Sequence, residues 1–221
     1  ADSSDYDTSN VCDIGAGVGH LTIELAPHCA QVNAVEPNDA MRKIGQNRTL
    51  QIKNIKWFEG TAEDTTQNDK KFNLCTFGSS FNVCNQLEAL KEVKRILKPG
   101  GWFVCMWNHR DLNDPIQENI ESIIKKHVDG FGYGIRRQDQ TNIIKECGFF
   151  ADVVRIEGDV VHTQKIEDVI TAWKSHASLQ RQAGQQFDTI INEIKMSLKH
   201  CGSNSILIPY TTRIWVAQLK E

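Results

Sequence analysis

Asp13-Ile14-Gly15-Ala16-Gly17-Val18-Gly19 sets a carboxylate two residues ahead of three glycines at alternate positions. Val11 to Ile14 reads as a short buried strand, and Val18, Leu21 and Leu25 then recur at helical spacing. A strand thus runs through a side-chain-free loop into a helix. Glycine tolerates positive φ there and lets a ligand lie against the backbone. The helix start adds free N–H groups that favour anionic ligand atoms. Such an arrangement binds a nucleotide or nucleoside; a flexible turn is the plain alternative.

A second carboxylate stands at a telling distance. Gln31 to Val35 has a strand pattern, and Glu36 follows Gly15 by 21 positions, near the ~20 expected of a ribose-binding acid. A carboxylate at the end of a second strand can accept both ribose hydroxyls. The dinucleotide fingerprint would need a glycine at position 20, and that residue is His20.

The loop resembles motif I of the class I S-adenosylmethionine-dependent methyltransferases, and Ala34-Val35-Glu36-Pro37-Asn38 resembles their ribose motif. Glu59-Gly60-Thr61-Ala62-Glu63-Asp64 is similar to their adenine-binding segment; an acidic surface turn is the other reading. Leu97-Lys98-Pro99-Gly100-Gly101, after an amphipathic helix, is similar to an architectural phrase of their small-molecule members. These stretches appear in family order from Val11 onward. The resemblance implies S-adenosyl-L-methionine as cofactor, with the loop around its methionine and ribose. It implies Asp13 near the methionine amino group, directly or through water, and Ala62 and Glu63 at the adenine edge, with Asp64 in reserve. The implied cofactor set is Asp13, Gly15, Ala16, Gly17, Gly19, Glu36, Pro37, Met41, Thr61, Ala62, Glu63, Gly78, Ser79 and Ser80. The implied reaction is in-line methyl transfer to a small-molecule acceptor, in which a base is needed only if the nucleophile arrives protonated.

The implied scaffold is α/β: a doubly wound seven-stranded sheet, order 3-2-1-4-5-7-6, with strand 7 antiparallel, helices on both faces and a helical cap. One Rossmann-like domain over 1–221 is expected, with cap insertions about 112–137 and 164–200. Helix 18–28 follows the loop. Asn38 or Asp39 caps a second helix that turns Met41 and Ile44 inward. Strands are expected at Ile55 to Phe58, Phe72 to Phe77, Trp102 to Trp107, Ala151 to Ile156 and Ile206 to Leu219. Helices are expected over 115–128 and 138–147, with two more inside 164–200.

Substrate candidates follow from the carboxyl ends of strands, where open sheets present their ligand crevice. Phe81 and Asn82 follow strand four, and a turn-forming Asn explains Asn82 equally well. Trp107, Asn108, His109 and Arg110 end strand five, and His109 is the best general-base candidate by position, with an exposed loop residue as the plain alternative. Arg110 either clamps a substrate carboxylate or pairs with Asp111 or Asp114. Tyr133 lies in a Gly-rich loop, 130–134, that suits a lid or a plain connector. Trp173, His176 and Arg181 lie in the second insertion, where a Trp at core spacing also reads as core. Tyr210 and Arg213 fall on opposite faces of the last strand.

Composition narrows the partners. Of 221 residues 40% are hydrophobic and 24% charged, ordinary for a globular protein, and the net charge of −3 gives no general push toward nucleic acid or an anionic membrane. No apolar run approaches the ~20 residues of a membrane span. Seven scattered cysteines without a C-x-x-C pair suggest neither a zinc site nor a disulfide framework, and point to a reducing cytoplasm. Residues 1 to 9 read as mobile; no signal peptide is visible, though the chain opens without Met. The family usually carries helices before the first strand, so either native N-terminal residues are missing or the site is more open than usual. The competing readings are an RNA or protein methyltransferase, a nicotinamide-dependent oxidoreductase, and a non-catalytic nucleoside-binding protein. The sequence names neither the acceptor nor the oligomeric state.

Overall fold

Val11 to Ile14 are all buried, the pattern of a strand covered on both faces. In the computed structural model, which describes residues 9–133, 137–200 and 202–220, they form β1 (Asn10–Ile14). Beside it run β2 (Gln31–Val35), β3 (Ile55–Phe58), β4 (Phe72–Gly78) and β5 (Leu97–Arg110). The β1–β2, β1–β4, β2–β3 and β4–β5 pairs are parallel, with Asp13 opposite Ala34 on one side and Thr76 on the other. With β6 (Val154–Lys165) and β7 (Ser205–Gln218) the sheet has the order β3-β2-β1-β4-β5-β7-β6, and β7 is antiparallel. The expected strand order is the one found. The chain order reverses between β1 and β4, the switch point at which such sheets bind ligands.

Eight α-helices stand among the described residues: α1 (His20–Leu25), α2 (Asp39–Arg48), α3 (Gln86–Ile96), α4 (Pro115–His127), α5 (Thr141–Glu146), α6 (Ile166–Lys174), α7 (Ala177–Ala183) and α8 (Phe187–Lys199). Asn38, Asn85 and Asp114 cap α2, α3 and α4 by accepting first-turn N–H groups.

The chain divides into two compact units. The first comprises residues 1–107, 138–156 and 213–221. Its core gathers Phe72, Phe77, Phe81, Phe103 and Phe150 with Leu90, Val93 and Trp215. Phe81 meets Phe77 and Phe103 edge-on, each at 5.3 Å. The second unit comprises 108–137 and 157–212 and has its own core, including Ile120, Ile124, Val169, Trp173, Ile190 and Ile194. The expected insertions 112–137 and 164–200 fall within it.

Several boundaries need correction. Leu97-Lys98-Pro99-Gly100-Gly101 is already strand, and a register shift between Phe72 and Leu74 absorbs its irregularity. Helix 18–28 is one and a half turns of α1 followed by a 3-10 turn at Ala26–His28, which contains Pro27. Strand six starts at Val154, not Ala151, and runs on to Lys165. Three α-helices, not two, lie between β6 and β7. His176 caps a new start at α7, and Gly184, at φ +50°, separates α7 from α8. Met41 and Ile44 point outward, 41% and 50% exposed. The face of α2 that packs is Gly45, where a Cβ would overlap the Trp57 ring. Most of the polar N-terminal stretch, residues 1–8, lies outside the described residues, as does Gly134 of the Gly-rich loop.

Candidate active site

Four amides of the loop from Ile14 to His20 are bonded within the protein. Gly15 and Ala16 donate their N–H groups to Val35 O at 2.9 and 3.0 Å, and Gly19 donates to Ala16 O at 2.9 Å. Gly17 donates to Glu36 Oε2 at 2.8 Å. The expectation of free amides for an anionic ligand is therefore corrected at these four positions. A pyrophosphate would have to compete with existing bonds.

Two glycines are explained by side chains rather than by a ligand. A Cβ on Gly15 would sit 2.5 Å from Ser80 Cβ, and Ser80 Oγ donates to Ile14 O at 2.7 Å. A Cβ on Gly19 would come within 3.0 Å of the Trp57 ring. That ring is wedged between Gly19 and Gly45, and its Nε1 donates to Thr49 Oγ1 at 2.9 Å. Gly17 differs: at φ +59° its missing side chain would meet only the flexible tip of Met41, at 3.3 Å. This leaves a small backbone cradle beside Glu36.

Two acids lie under and beside that cradle. Asp13 is buried and accepts from Thr22 Oγ1 at 2.6 Å and Thr76 Oγ1 at 2.9 Å. Burial pushes its carboxyl up to about 6; the two hydroxyls oppose the rise and the nearby Glu36 charge adds to it. Glu36 is also buried, with its second oxygen accepting Asn38 N–H at 2.9 Å. Pro37 is exposed, and Arg42 Nη1 donates to Glu36 O at 2.6 Å, tying α2 to the end of β2.

The segment after β3 is a closed turn. Thr61 N–H donates to Asp64 O at 2.8 Å, and Asp64 N–H to Thr61 Oγ1 at 3.1 Å. Ala62 packs on the core, and Glu63 Oε1 accepts Asn85 N–H at 2.7 Å, at the start of α3. The turn hangs on buried Glu92, whose Oε1 takes Thr65 N–H at 2.8 Å and which Arg95 pairs at 2.7 Å. At the end of β4, Gly78 fits against Leu21, and Ser79 holds φ +65°, strained for a side-chain-bearing residue. Phe81 is wholly core. Asn82, 1% exposed, has neither its amide oxygen nor its nitrogen hydrogen-bonded. Leaving such a group unpaired costs about 1–3 kcal/mol.

The candidates at the end of β5 do not form one cluster. Alternation along the strand buries Trp107 and His109 on one face and puts Asn108 and Arg110 on the other. Buried in a strand, His109 is no exposed loop residue. Asn108 Oδ1 accepts Thr212 Oγ1 at 2.6 Å.

Within the second unit the structure does gather five candidates. The Arg110 guanidinium lies 4.7 Å from the Trp173 ring centre, and its Nε donates to Tyr210 OH at 3.3 Å. His176 lies 5.1 Å from Trp173 and 6.0 Å from Tyr133. Burial, then Glu121, pushes the Tyr133 hydroxyl far above its usual range. His176 Nδ1 accepts Leu179 N–H at 3.2 Å, which fixes the proton on Nε2 in the neutral ring. Asp111 and Asp114 serve the local turn and the α4 cap, and no carboxylate among the described residues pairs with Arg110. Arg181 is exposed. Gly132 exchanges two hydrogen bonds with Gln182, so this part of the Gly-rich loop is anchored to α7.

Sequence reasoning missed Thr22, Thr76, Trp57 and Gln117. Thr76 reaches Asp13 because it is its register partner across β1 and β4, a pairing that no spacing in the sequence marks. Gln117 sits at a buried position of α4 with its amide nitrogen unpaired, and nothing in its spacing marks it.

Residues 12–105 match the family described as "Methyltransferase domain". The chain is 27% identical over 167 residues to the ubiquinone/menaquinone biosynthesis C-methyltransferase UbiE of Zymomonas mobilis, covering 69% of this chain and 68% of that one. It is 34% identical over 98 residues to a demethylmenaquinone methyltransferase of Staphylococcus aureus, covering 42% of this chain and 41% of the relative. In fold it is similar to the YcgJ protein of Bacillus subtilis, with a TM-score of 0.62 at 17% identity over 97% of this chain and 93% of that one. Phosphoethanolamine N-methyltransferase 2 of Haemonchus contortus, solved with S-adenosyl-L-methionine, gives 0.53 at 15% identity over 97% of this chain and 49% of that one. The ordered loop, ribose acid and sheet agree with that match: residues 12–105 form a methyltransferase domain of the class I type, with S-adenosyl-L-methionine as its methyl donor.

Proposed function

We propose that this enzyme methylates a small planar aromatic acceptor that carries an anionic oxygen, a phenolate or a carboxylate. The observation that carries this reading is the second unit's Arg110, stacked on Trp173 beside Tyr133 and His176 with no carboxylate partner among the described residues. Aromatic faces suit a planar ring, and an unpaired guanidinium suits an anionic oxygen. The relatives named for ubiquinone, menaquinone and demethylmenaquinone support a ring-bearing acceptor, the first of them by name a C-methyltransferase.

The first unit's residues fit the methyl donor. The Gly17 cradle admits a ligand against backbone, and Glu36 is already oriented to accept ribose hydroxyls. Asp13 places negative charge under the loop, where a cationic ligand favours it ionised. The amides of Gly15, Ala16 and Gly17 are already engaged, which suits a nucleoside without phosphates better than a dinucleotide. Asn82 supplies an unpaired amide at the end of β4. Bound donor supplies a methyl on a positively charged sulfur, activated for in-line displacement. The protein's task is then to hold donor and acceptor and exclude water, and orientation alone is worth roughly 7–11 kcal/mol. A carboxylate needs no base; a phenol, protonated near neutral pH, must give up its proton to solvent or a base as it is methylated, and the charge of Arg110 favours that loss. Six cysteines among the described residues are unbridged, in keeping with a reducing cytoplasm, and no helix described is long and apolar enough to cross a membrane.

Labelled donor incubated with a panel of hydroquinones, aromatic carboxylates and aliphatic amines tests this. Label in the first two classes supports the reading; label in the amines alone contradicts it.

A further inference from the structure

Elsewhere in the second unit, the end of β6, the two ends of α6, the last turns of α8 and the entry to β7 line a hollow of about 860 Å³. That volume falls within the roughly 300–1,000 Å³ of small-ligand sites. Lys165, Lys174, Lys195 and Lys199 line it, and Lys195 and Lys199 are one turn apart on α8. None of the four forms an ion pair with a carboxylate of the described residues. One acidic side chain, Glu167, shares the lining. The chain as a whole carries −3, so this concentration of positive charge is local.

We propose that this hollow is a binding site for phosphoryl groups. Four like charges around one space repel each other, and an occupant with two or more negative charges offsets that repulsion. Lysines are mobile point charges suited to phosphate oxygens. Ser203, Asn204 and Ser205 add hydroxyl and amide donors to the same wall, and a tetrahedral phosphoryl group accepts several such bonds at once. Ser203 Oγ takes Ser205 N–H at 3.2 Å, which leaves its own proton to donate. A free diphosphate-bearing metabolite and a phospholipid headgroup present the same chemistry.

The test is calorimetric titration with inorganic pyrophosphate, and sedimentation with phosphatidylcholine vesicles with and without phosphatidic acid. Three proteins are compared: wild type, Lys174→Glu/Lys199→Glu, and the charge-matched control Lys53→Glu/Lys145→Glu. All four lysines are exposed, so the fold stands in each. Wild type and control should bind pyrophosphate, and the Lys174→Glu/Lys199→Glu protein should bind it roughly tenfold more weakly or worse. Binding to phosphatidic acid vesicles that pyrophosphate displaces assigns a headgroup; pyrophosphate binding without vesicle binding assigns a soluble ligand. Wild type that binds neither probe overturns the proposal, as does equal binding by the paired variant or an equal loss in the control. No arm reads methyl transfer, so the outcome is independent of the acceptor.

Discussion

Glu36 Oε2 accepts the Gly17 N–H at 2.8 Å while Glu36 Oε1 accepts the Asn38 N–H at 2.9 Å. One carboxylate thus fixes the glycine loop to the start of α2, and on the proposed reading its remaining lone pairs would meet a ribose. Glu36→Gln keeps the size but loses the charge and one acceptor. It should weaken S-adenosylmethionine binding roughly 10–100-fold, the worth of a hydrogen bond to a charged group. Direct titration checks this, with a thermal melt to show that the fold persists.

Asp13 ties stability to pH. Its carboxyl is raised from 3.8 to about 6, with burial as the main cause. The folded state therefore holds this proton more tightly than the unfolded chain. Its contribution is fully present below about pH 4 and is lost as pH rises through 6. About two pKa units correspond to roughly 3 kcal/mol. The stability difference between wild type and Asp13→Asn, from urea titrations at pH 4.5 and pH 7.5, should shift against wild type by about 2 kcal/mol at the higher pH, because the unfolded carboxyl is already mostly ionised at pH 4.5. A cationic ligand reverses the preference, so donor affinity should fall as pH drops below 6. A pH-independent difference would mean that Asp13 keeps an ordinary pKa.

Trp57 sets the distance between the loop and α2 through Gly19 and Gly45. Gly45→Ala overpacks that contact and should cost about 1–3 kcal/mol, a fall of several degrees in Tm. A melt unchanged within a degree would show that the ring moves aside freely.

On the proposed reading Asn82 exchanges stability for function. Asn82→Leu removes a buried unpaired amide at similar volume, so it should raise stability by about 1 kcal/mol while lowering kcat/KM. Chemical denaturation and steady-state rates measure the two effects separately. A variant that is less stable and fully active would assign Asn82 to the scaffold.

Arg110→Lys keeps a positive charge but loses the planar stack on Trp173. KM for the acceptor should rise about tenfold, and donor affinity should not change. An unchanged KM removes the acceptor from this cluster.

The strand–loop–helix and its acid were legible because each uses a local rule: apolar run, glycines, helical spacing, then Glu36 at the end of the next strand. The sheet order was legible only through the family resemblance, since no spacing within the chain specifies which strands pair. The close approaches were not legible. Gly15 is small for Ser80 and Gly19 for Trp57, and both partners lie 38 or more positions away. The end of β5 misled for a different reason. Four consecutive polar or aromatic residues look like one cluster, but a strand's period of two sends Asn108 and Arg110 away from Trp107 and His109. Met41 and Ile44 misled because α2 packs by a glycine, which carries no hydrophobic signal.

The most direct measurement is calorimetric titration of S-adenosylmethionine and its demethylated product into wild type and Glu36→Ala. Wild type should bind both at one site, and Glu36→Ala, still folded, should lose most of that affinity. Silence from wild type, or equal binding by the two proteins, would contradict a nucleoside held at the Gly17 cradle by Glu36.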